Sequence, residues 1–576
     1  MPVGLAVAPE GLAGGAAETA DTSPKISKTA QMPRLAMRDM VPSLEPTRCL
    51  KFRPGSPGEP GRTVPPNLAR LYDKIDANRK MSCRQSQKTG KLVKTGSFRA
   101  ARLSVQPGEL SMKNRRETNL HPIQIPEEAP MSATAHWGLP YWLDFERPQF
   151  PTLEGDLSTE VAIIGGGIAG LKLAHSLSQR GIPVVILEGG RVGDGASGRN
   201  QGSLNHGPGF GYAECIARHS RTVAQELWRL GLDNHQLMRA QLAEYEVDCD
   251  YQVEGFWFLA RADMPDHEAT LRTYRTDLEL LADDGFEVEW LDQSAARERG
   301  GNPLYTGGFG YLTDAQFHSG KYIAGLARGI ARRPGVRLFE QARIVQIEPC
   351  GSGALARTQN GHVVRARHVF LAVNALAPQF VRSLETSLRA ERGQVLVTAP
   401  LDTRPCQGSF GTALAWWREI IEPDGRWRLL FGGGRTRETP DSLFPQFEAD
   451  GSPSKRLEQE GFLPSAEHQA RLETQFAILF PHLRKVPITH RWGGLQSFTA
   501  DCLPVIGEFD PSRQIHGLAG FSGRGNCFAD VGAEYLASRL CEERGMIETR
   551  YHSLFKTLLN VSRPTAQWGP WKFSPG

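Results

Sequence analysis

The chain has 576 residues, of which 40% are hydrophobic and 23% charged, a length and composition that suggest about two to four globular units. No run of about 18 apolar residues occurs, so we expect no membrane-spanning helix. The nine cysteines form no Cys-x-x-Cys pair and no zinc-type spacing with histidines. We therefore expect no disulfide framework, no bound metal and a cytoplasmic location.

Residues 1–130 differ from the rest in charge and composition. They carry 21 Lys and Arg against 12 Asp and Glu, whereas the remainder carries 46 against 51. They are rich in Ala, Pro, Gly and Ser without a sustained apolar period, which predicts a disordered basic N-terminal extension. Early acidic residues disfavour an import sequence, and basic residues without interleaved aromatics disfavour nucleic-acid binding. A short helix near Leu68–Lys80 and a true start at Met131 remain alternatives.

A strand, a helix and a second strand follow in order. The short apolar run Glu160–Ile164 predicts a buried parallel strand. The helix after it is amphipathic, and Gly181 ends it, as glycine commonly does at a helix C-terminus. Pro183–Leu187 predicts a second buried strand. This order predicts a βαβ unit.

The turn between the first strand and the helix has the spacing G-x-G-x-x-G, which is informative because of this strand–turn–helix context. Its glycines allow a tight turn, close approach of a pyrophosphate and close helix–sheet packing, while the helix N-terminus attracts the phosphates. Glu188 lies 23 positions after Gly165, where a carboxylate accepts ribose hydrogen bonds and repels a 2′-phosphate. The residues predicted to bind the dinucleotide here are Gly165, Gly167, Ile168, Ala169, Gly170 and Glu188.

A long, glycine-rich polar segment, residues 189–202, comes next. An NAD-binding domain usually continues directly into another helix, whereas a segment of this kind can wrap a longer cofactor such as FAD. An NAD site and a mobile surface loop remain alternatives at this point. The predicted contacts are Gly189, Arg191, Gly195, Ala196, Ser197, Asn200, Gln201 and Gly202.

Four blocks of sequence, spread over residues 137–545, resemble the FAD-dependent superfamily of D-amino-acid oxidase, glycine oxidase and sarcosine oxidase, and within it the gamma-glutamylputrescine oxidoreductase type. The order of the four blocks is also that of the superfamily. The blocks are Gly165–Gly170 with Glu188, Gly195–Gly202, Ala366–Ala375 with Arg392–Gln394, and Trp492–Gly507 with Gly520–Asn526.

The resemblance implies an α/β fold in which a Rossmann-like FAD-binding domain is interleaved with an α+β substrate domain built on an antiparallel sheet. The substrate domain would cover the flavin. The expected FAD-binding parts are 131–241, 319–392 and 489–545, the substrate parts are 242–318 and 393–488, and 546–576 is a C-terminal tail.

The resemblance also implies further FAD contacts. A residue of the strand at 342–347, for which we choose Val345, would present its backbone to the adenine. The turn at Gly523–Asn526 would lie at the pyrimidine end of the flavin, where a helix N-terminus favours negative charge. Gly494 stands where sarcosine oxidases carry a covalently bound cysteine, so we expect non-covalent FAD. The contacts in these blocks are Val345, Ala372, Asn374, Gly494, Gly523, Gly525 and Asn526.

The implied activity is oxidation of the C–N bond of an amine or amino acid, with hydride transfer to flavin N5 and hydrolysis of the imine to a carbonyl product. The electron acceptor would be O2 or a quinone or other electron carrier. The strand Arg426–Phe431 contains no lysine of the kind that some family oxidases use with oxygen, which leaves oxidase and dehydrogenase open. A non-catalytic assembly or scaffold protein with the FAD fold is the alternative function.

Several polar and aromatic residues are candidates for the reaction site. His206 is a flavin neighbour, a substrate ligand or an ordinary loop histidine, and His318 positions the flavin or caps a helix. A tryptophan pair is an amine-binding face or core, and Arg435 binds a substrate carboxylate or is solvated. The predicted catalytic residues are His206, Gln496 and Arg524, and the predicted substrate contacts are Trp416, Trp417 and Arg435.

Overall fold

The structure is a computed structural model that describes residues 136–412, 415–433 and 443–566. The predicted extension 1–130, the helix near Leu68–Lys80 and Arg435 lie outside the described residues. The described strands are β1 (His136–Trp137), β2 (Leu157–Ile164), β3 (Val184–Leu187), β4 (Ser203–Leu204), β5 (Phe256–Arg261), β6 (Val288–Leu291), β7 (Tyr305–Tyr311), β8 (Ala315–Gln316), β9 (Val336–Phe339), β10 (Ile344–Cys350), β11 (Gly353–Thr358), β12 (Val363–Leu371), β13 (Arg389–Thr398), β14 (Ser409–Gly411), β15 (Ala415–Ile421), β16 (Trp427–Gly433), β17 (Leu443–Phe444), β18 (Ile488–Phe498), β19 (Val505–Asp510) and β20 (Ile515–Ala519). The described α-helices are α1 (Ile168–Gln179), α2 (Tyr212–Arg218), α3 (Arg221–Glu244), α4 (His267–Asp283), α5 (Gln293–Gly300), α6 (Ser319–Ala331), α7 (Lys455–Glu460), α8 (Ala466–Leu479), α9 (Gly525–Leu540) and α10 (Met546–Thr557).

Parallel strands form the centre of one sheet, which contains the predicted βαβ unit. Within the described chain their order is β9-β3-β2-β12-β20, and β10, β11 and β19 extend the sheet by antiparallel pairing. Val161 and Ile163 of β2 join the core beneath the helices. Ala162 and Ile164 point to the other face, into a second core. Burial on both faces explains why this strand is a continuous apolar run.

A second, mainly antiparallel sheet, here called the roof sheet, comes from three separate parts of the chain. In the residues described, its order is β1-β18-β13-β16-β15-β14-β5-β7-β6, with β17 beside β13. Its large apolar side chains pack against α8, with Trp417, Phe431 and Phe476 in one buried cluster. A short antiparallel pair, β4 with β8, lies outside both sheets.

The ladder between β13 and β18 crosses two of the expected domain boundaries. These strands pair from Arg389–Phe498 to Thr398–Ile488, so the expected division at 392/393 falls inside the ladder, and that at 488/489 falls at the register shift near its end. The two halves of the fold therefore meet within these strands rather than in linkers.

Helix α10 begins the segment that the sequence assigned to a C-terminal tail. Ile547, Tyr551, Leu554 and Phe555 are buried and share one helical face, which is the pattern of an amphipathic helix on a core. No helix in the described ranges is long and apolar enough to cross a membrane.

Candidate FAD site and active site

The glycine turn after β2 brings two strand ends and a helix into close contact. Gly165 has a φ of +110°, and a Cβ added there would lie 2.8 Å from the carbonyl oxygen of Ala372. At Gly170 an added Cβ would lie 2.0 Å from the carbonyl oxygen of Gly165. Because no side chain fits at either position, the backbone is packed as a dinucleotide turn requires.

Helix α1 points its N-terminus at this turn. Gly167 precedes the helix, and the first turn contains no acidic residue. The Ile168 N–H donates to Ser197 Oγ at 2.9 Å, so the segment 189–202 reaches the helix N-terminus. The N–H groups of a first helical turn lack intrahelical acceptors, and together with the helix dipole they suit a pyrophosphate.

Glu188 lies at the end of β3, beside the glycine turn. Its carboxylate accepts hydrogen bonds from Gly166 N–H at 2.7 Å and Gly190 N–H at 2.9 Å. Burial raises the pKa of this carboxyl, although the two backbone donors oppose the shift. Each carboxylate oxygen has a further lone pair, which suits the hydroxyls of a ribose.

The segment 195–202 is fixed by contacts to Trp142, to the roof sheet and to its own backbone, unlike a mobile surface loop. Trp142 Nε1 donates to the Asn200 carbonyl at 2.7 Å, and Trp492 Nε1 donates to the Arg199 carbonyl at 3.0 Å. The Asn200 amide donates to the Ser197 carbonyl at 2.8 Å and accepts from Gly202 N–H at 2.7 Å.

Other predicted contacts in this segment hold its backbone in place. Arg191 donates to the carbonyls of Arg147 and Pro148. Gln201 donates to the Trp417 carbonyl at 3.2 Å. At Gly195 an added Cβ would meet no atom within 4 Å, so the backbone there faces open space.

The corner Gly523–Asn526 lies at the N-terminus of α9 and contacts the strand after the glycine-rich segment. Asn526 donates to the Ser203 carbonyl at 2.9 Å, and Asn234 donates to the Asn526 carbonyl at 2.7 Å. These partners lie 323 and 292 residues apart in sequence, so no local pattern indicated Ser203 or Asn234. Asn374 accepts from Gly520 N–H at 3.1 Å, which joins the third and fourth sequence blocks.

Gln496 and Arg524 each have a side-chain polar group without a hydrogen-bond partner among the described residues. Gln496 faces Glu391 across the β13–β18 ladder, and its buried Oε1 has no hydrogen-bond partner among the residues described. The Arg524 guanidinium lies 5.9 Å from the Phe256 ring. No hydrogen bond or ion pair involves it within the described part of the chain.

Gly494 and Val345 lie in strands of two different sheets. A Cβ at Gly494 would lie 3.1 Å from Arg199 Cβ, so β18 touches the glycine-rich segment there. Val345 lies at an irregularity between β10 and β11, and the residue is 55% exposed.

The two tryptophans do not form a common face for an amine. They are neighbours on β15, so their side chains point to opposite faces of the roof sheet. Trp417 is fully buried, stacked on Phe410 at 5.3 Å and Tyr305 at 5.9 Å, so it packs in the core and offers no surface to a substrate. Trp416 covers Gly432, where an added Cβ would lie 2.2 Å from its ring.

The two candidate histidines have internal partners. His318 Nδ1 accepts from Lys321 N–H at 3.1 Å, so it caps α6, and burial lowers its pKa to about 4. His206 is buried, and its Nδ1 lies 2.5 Å from Asp314 Oδ1. Asp314 is 108 residues away in sequence, and no motif pointed to it.

These groups fit FAD. The glycine turn and the α1 N-terminus suit a pyrophosphate, Glu188 suits a ribose, and the Gly523–Asn526 corner offers a second helix N-terminus. At Gly523, as at Gly195, an added Cβ would meet no atom within 4 Å, so the backbone at both positions faces open space.

Comparison with known proteins agrees with this geometry. A family model described as FAD dependent oxidoreductase matches residues 160–539. The chain is 28% identical over 411 residues to gamma-glutamylputrescine oxidoreductase of Escherichia coli, covering 68% of this chain and 85% of that protein. It is 26% identical over 379 residues to glycine oxidase of Geobacillus kaustophilus, covering 63% of this chain and 87% of that protein.

Solved structures show the same fold. Glycine oxidase from Geobacillus kaustophilus superposes with a TM-score of 0.55 at 21% identity, covering 68% of this chain and 96% of that chain. L-proline dehydrogenase from P. horikoshii superposes with a TM-score of 0.55 at 18% identity, covering 70% of this chain and 98% of that chain. The predicted fold class and the predicted FAD cofactor are confirmed, and the chain belongs to the DAO family of FAD-dependent oxidoreductases.

Proposed function

We propose that this protein oxidises the C–N bond of an amino acid, or of an amine with an anionic group, and holds its FAD non-covalently. Bound FAD supplies the hydride acceptor, and hydrolysis of the imine gives a carbonyl product. The observation that carries the proposal is the convergence of four sequence blocks at one edge of the parallel sheet. The relatives named above are oxidases, oxidoreductases or dehydrogenases whose names refer to amino acids or to an amine conjugate.

The chain's own residues bind and position the reactants in this proposal. The α1 N-terminus and Glu188 hold the adenosine and pyrophosphate parts of the cofactor. The N-terminus of α9 at Gly525 favours the negative charge that gathers at the pyrimidine end of a reduced flavin. Gly494 in place of a cysteine leaves no thiol at that position for covalent attachment.

Arg524 is the residue that favours a carboxylate-bearing substrate. Its guanidinium is half-buried beside Phe256 and is not engaged by an acidic side chain in the described ranges. A planar guanidinium binds a carboxylate through two parallel hydrogen bonds. Gln496, whose buried Oε1 lacks a partner among the described residues, would accept a hydrogen bond from the substrate amine.

The test is an anaerobic titration of the purified yellow protein with a panel of amino acids and the amines obtained by removing their carboxyl groups. Loss of the oxidised flavin absorption with one compound supports the proposed reaction. Retention of that absorption with every compound would instead favour a non-catalytic scaffold. Mixing the reduced protein with O2 or with a soluble quinone then distinguishes an oxidase from a dehydrogenase.

A further inference from the structure

His206, His235 and Asp314 form a buried cluster next to the proposed flavin site. Their exposed fractions are 4%, 1% and 0%, and each offers a ligand atom within 4.8 Å of the others. His206 follows β4, His235 lies in α3, and Asp314 lies between β7 and β8. The expectation of no metal rested on sequence spacing, and spacing does not detect a cluster assembled from three distant segments.

Within the described residues, the one hydrogen bond of the His235 ring leaves its other nitrogen with an unused lone pair. Its Nε2 lies 3.0 Å from the Asn205 carbonyl, and because a carbonyl only accepts, Nε2 carries the proton. Nδ1 of neutral His235 is then an acceptor. It is buried without a hydrogen-bond partner among the described residues. A carbonyl that holds the other ring nitrogen is the usual arrangement around a metal-binding histidine.

Asp314 contributes a second unsatisfied acceptor. Its Oδ2 is buried without a partner in the described ranges, while Oδ1 lies 2.5 Å from His206 Nδ1. No Lys or Arg in the described part of the chain forms an ion pair with Asp314. A buried carboxylate with one imidazole partner and an unused lone pair is costly unless a further positive group is bound.

Apolar side chains enclose the cluster. The Tyr311 ring lies 4.4 Å and the Phe286 ring 6.2 Å from the His206 ring. Two imidazoles and one carboxylate suit a divalent transition ion such as Zn²⁺ better than Ca²⁺ or Mg²⁺, which prefer oxygen ligands alone.

We propose that His206, His235 and Asp314 bind one divalent transition metal ion of the Zn²⁺ class. Binding of the ion displaces the proton between His206 Nδ1 and Asp314 Oδ1, which is released to solvent. The ion joins α3 to the connection between β7 and β8. Asn234, the neighbour of His235, donates to the carbonyl of Asn526, so the ion also stabilises the corner that faces the flavin. This role is structural and independent of the substrate.

The chain offers a matched control in an exposed cluster of the same composition. His136, Asp144 and His490 also offer ligand atoms within 4.8 Å of one another, but two of the three are exposed. Substitution of His136 tests whether any bound metal lies at this surface cluster instead of the buried one.

The experiment measures Zn²⁺ by mass spectrometry in the full-length, FAD-loaded protein after incubation with Zn²⁺ and exhaustive dialysis. The wild type is expected to retain about one ion per chain, and His235→Asn and Asp314→Asn about tenfold less or lower still. His136→Asn should equal the wild type. The proposal is overturned if the wild type retains no more Zn²⁺ than His235→Asn, or if His136→Asn is the variant that loses the ion.

A second measurement keeps the test informative if the cluster variants do not fold. The wild-type protein is treated with a strong chelator, and its thermal unfolding is compared before and after Zn²⁺ is returned. A lowered Tm that Zn²⁺ restores supports the proposal. A Tm that the chelator does not change overturns it, because the cluster then holds no stabilising ion.

Discussion

In the proposed FAD site, Glu188 is expected to couple the affinity for FAD to pH. Burial raises the pKa of its carboxyl, and ribose hydroxyls donate to the ionised form, so FAD binding should weaken as the pH falls through this raised pKa. The folding stability of the cofactor-free protein depends on pH in the opposite direction. The stability due to neutral Glu188 is present at low pH and is lost as the pH rises through the same pKa.

The prediction is that acidification weakens FAD binding at a pH above the usual range of a glutamate. Glu188→Gln should bind FAD more weakly and with less dependence on pH, because its side chain does not ionise. Titration of the cofactor-free protein with FAD, followed by the quenching of flavin fluorescence, measures the Kd at each pH. An unchanged pH dependence in the variant would show that another group is responsible.

Arg524 determines the preference for a carboxylate in the proposed function. Arg524→Gln should raise the KM for the best amino acid about 10- to 100-fold, the effect of losing hydrogen bonds to a charged group. The KM for the corresponding amine without a carboxylate should stay nearly constant. Steady-state kinetics on both compounds checks this, and equal losses on the two would contradict a direct contact.

A buried ion pair joins helix α1 to helix α9. Lys172 Nζ lies 2.6 Å from Asp530 Oδ1, and both side chains are almost fully buried. Burial lowers the pKa of Lys172 and raises that of Asp530, while their mutual attraction opposes both shifts. The pair lies between the helix that begins at the dinucleotide turn and the helix that begins at the Gly523–Asn526 corner.

Lys172→Met should lower the free energy of unfolding by about 3–5 kcal/mol, because it leaves Asp530 buried without its cation. The double variant Lys172→Met with Asp530→Leu should recover most of that loss, since no charge remains buried. Urea unfolding of the two single variants and the double variant provides the comparison. A double variant as unstable as the sum of the single variants would contradict the prediction, because additive losses mean that the two charges are not coupled.

The elements that could be predicted from the sequence are those specified by neighbouring residues, such as a run of apolar residues or a glycine turn. The strand predicted from Glu160 ends at Ile164 as observed, although it begins earlier, at Leu157, where its residues are only partly buried. Asp314 was not predicted, because its partner is brought to it by the tertiary fold. Trp417 was predicted as a substrate contact, but it lies in the core. Successive side chains along β15 point to opposite faces of the sheet, and the residue type alone does not indicate which face a tryptophan occupies.

At the scale of the whole molecule, Arg199 connects the glycine-rich segment to the roof sheet. Its guanidinium donates to the carbonyls of Asp194 at 2.7 Å, Gly493 at 3.0 Å and Phe462 at 3.1 Å. Burial lowers the pKa of Arg199 to about 10, so it remains charged at neutral pH. One side chain thus joins the glycine-rich segment to β18 and to the connection after α7.

Arg199→Met should therefore affect stability and cofactor binding together. Three carbonyls would lose their donor, and leaving a buried acceptor unsatisfied costs about 1–3 kcal/mol, so the free energy of unfolding should fall by about 3 kcal/mol or more. Arg367→Met is the control, because Arg367 makes an exposed ion pair with Glu160, worth about 0–1 kcal/mol. Urea unfolding and FAD titration measure both effects. If the two variants lose the same free energy of unfolding and bind FAD equally well, Arg199 does not connect the glycine-rich segment to the roof sheet. If only Arg199→Met is destabilised and binds FAD more weakly, the roof sheet stabilises the cofactor site through this residue.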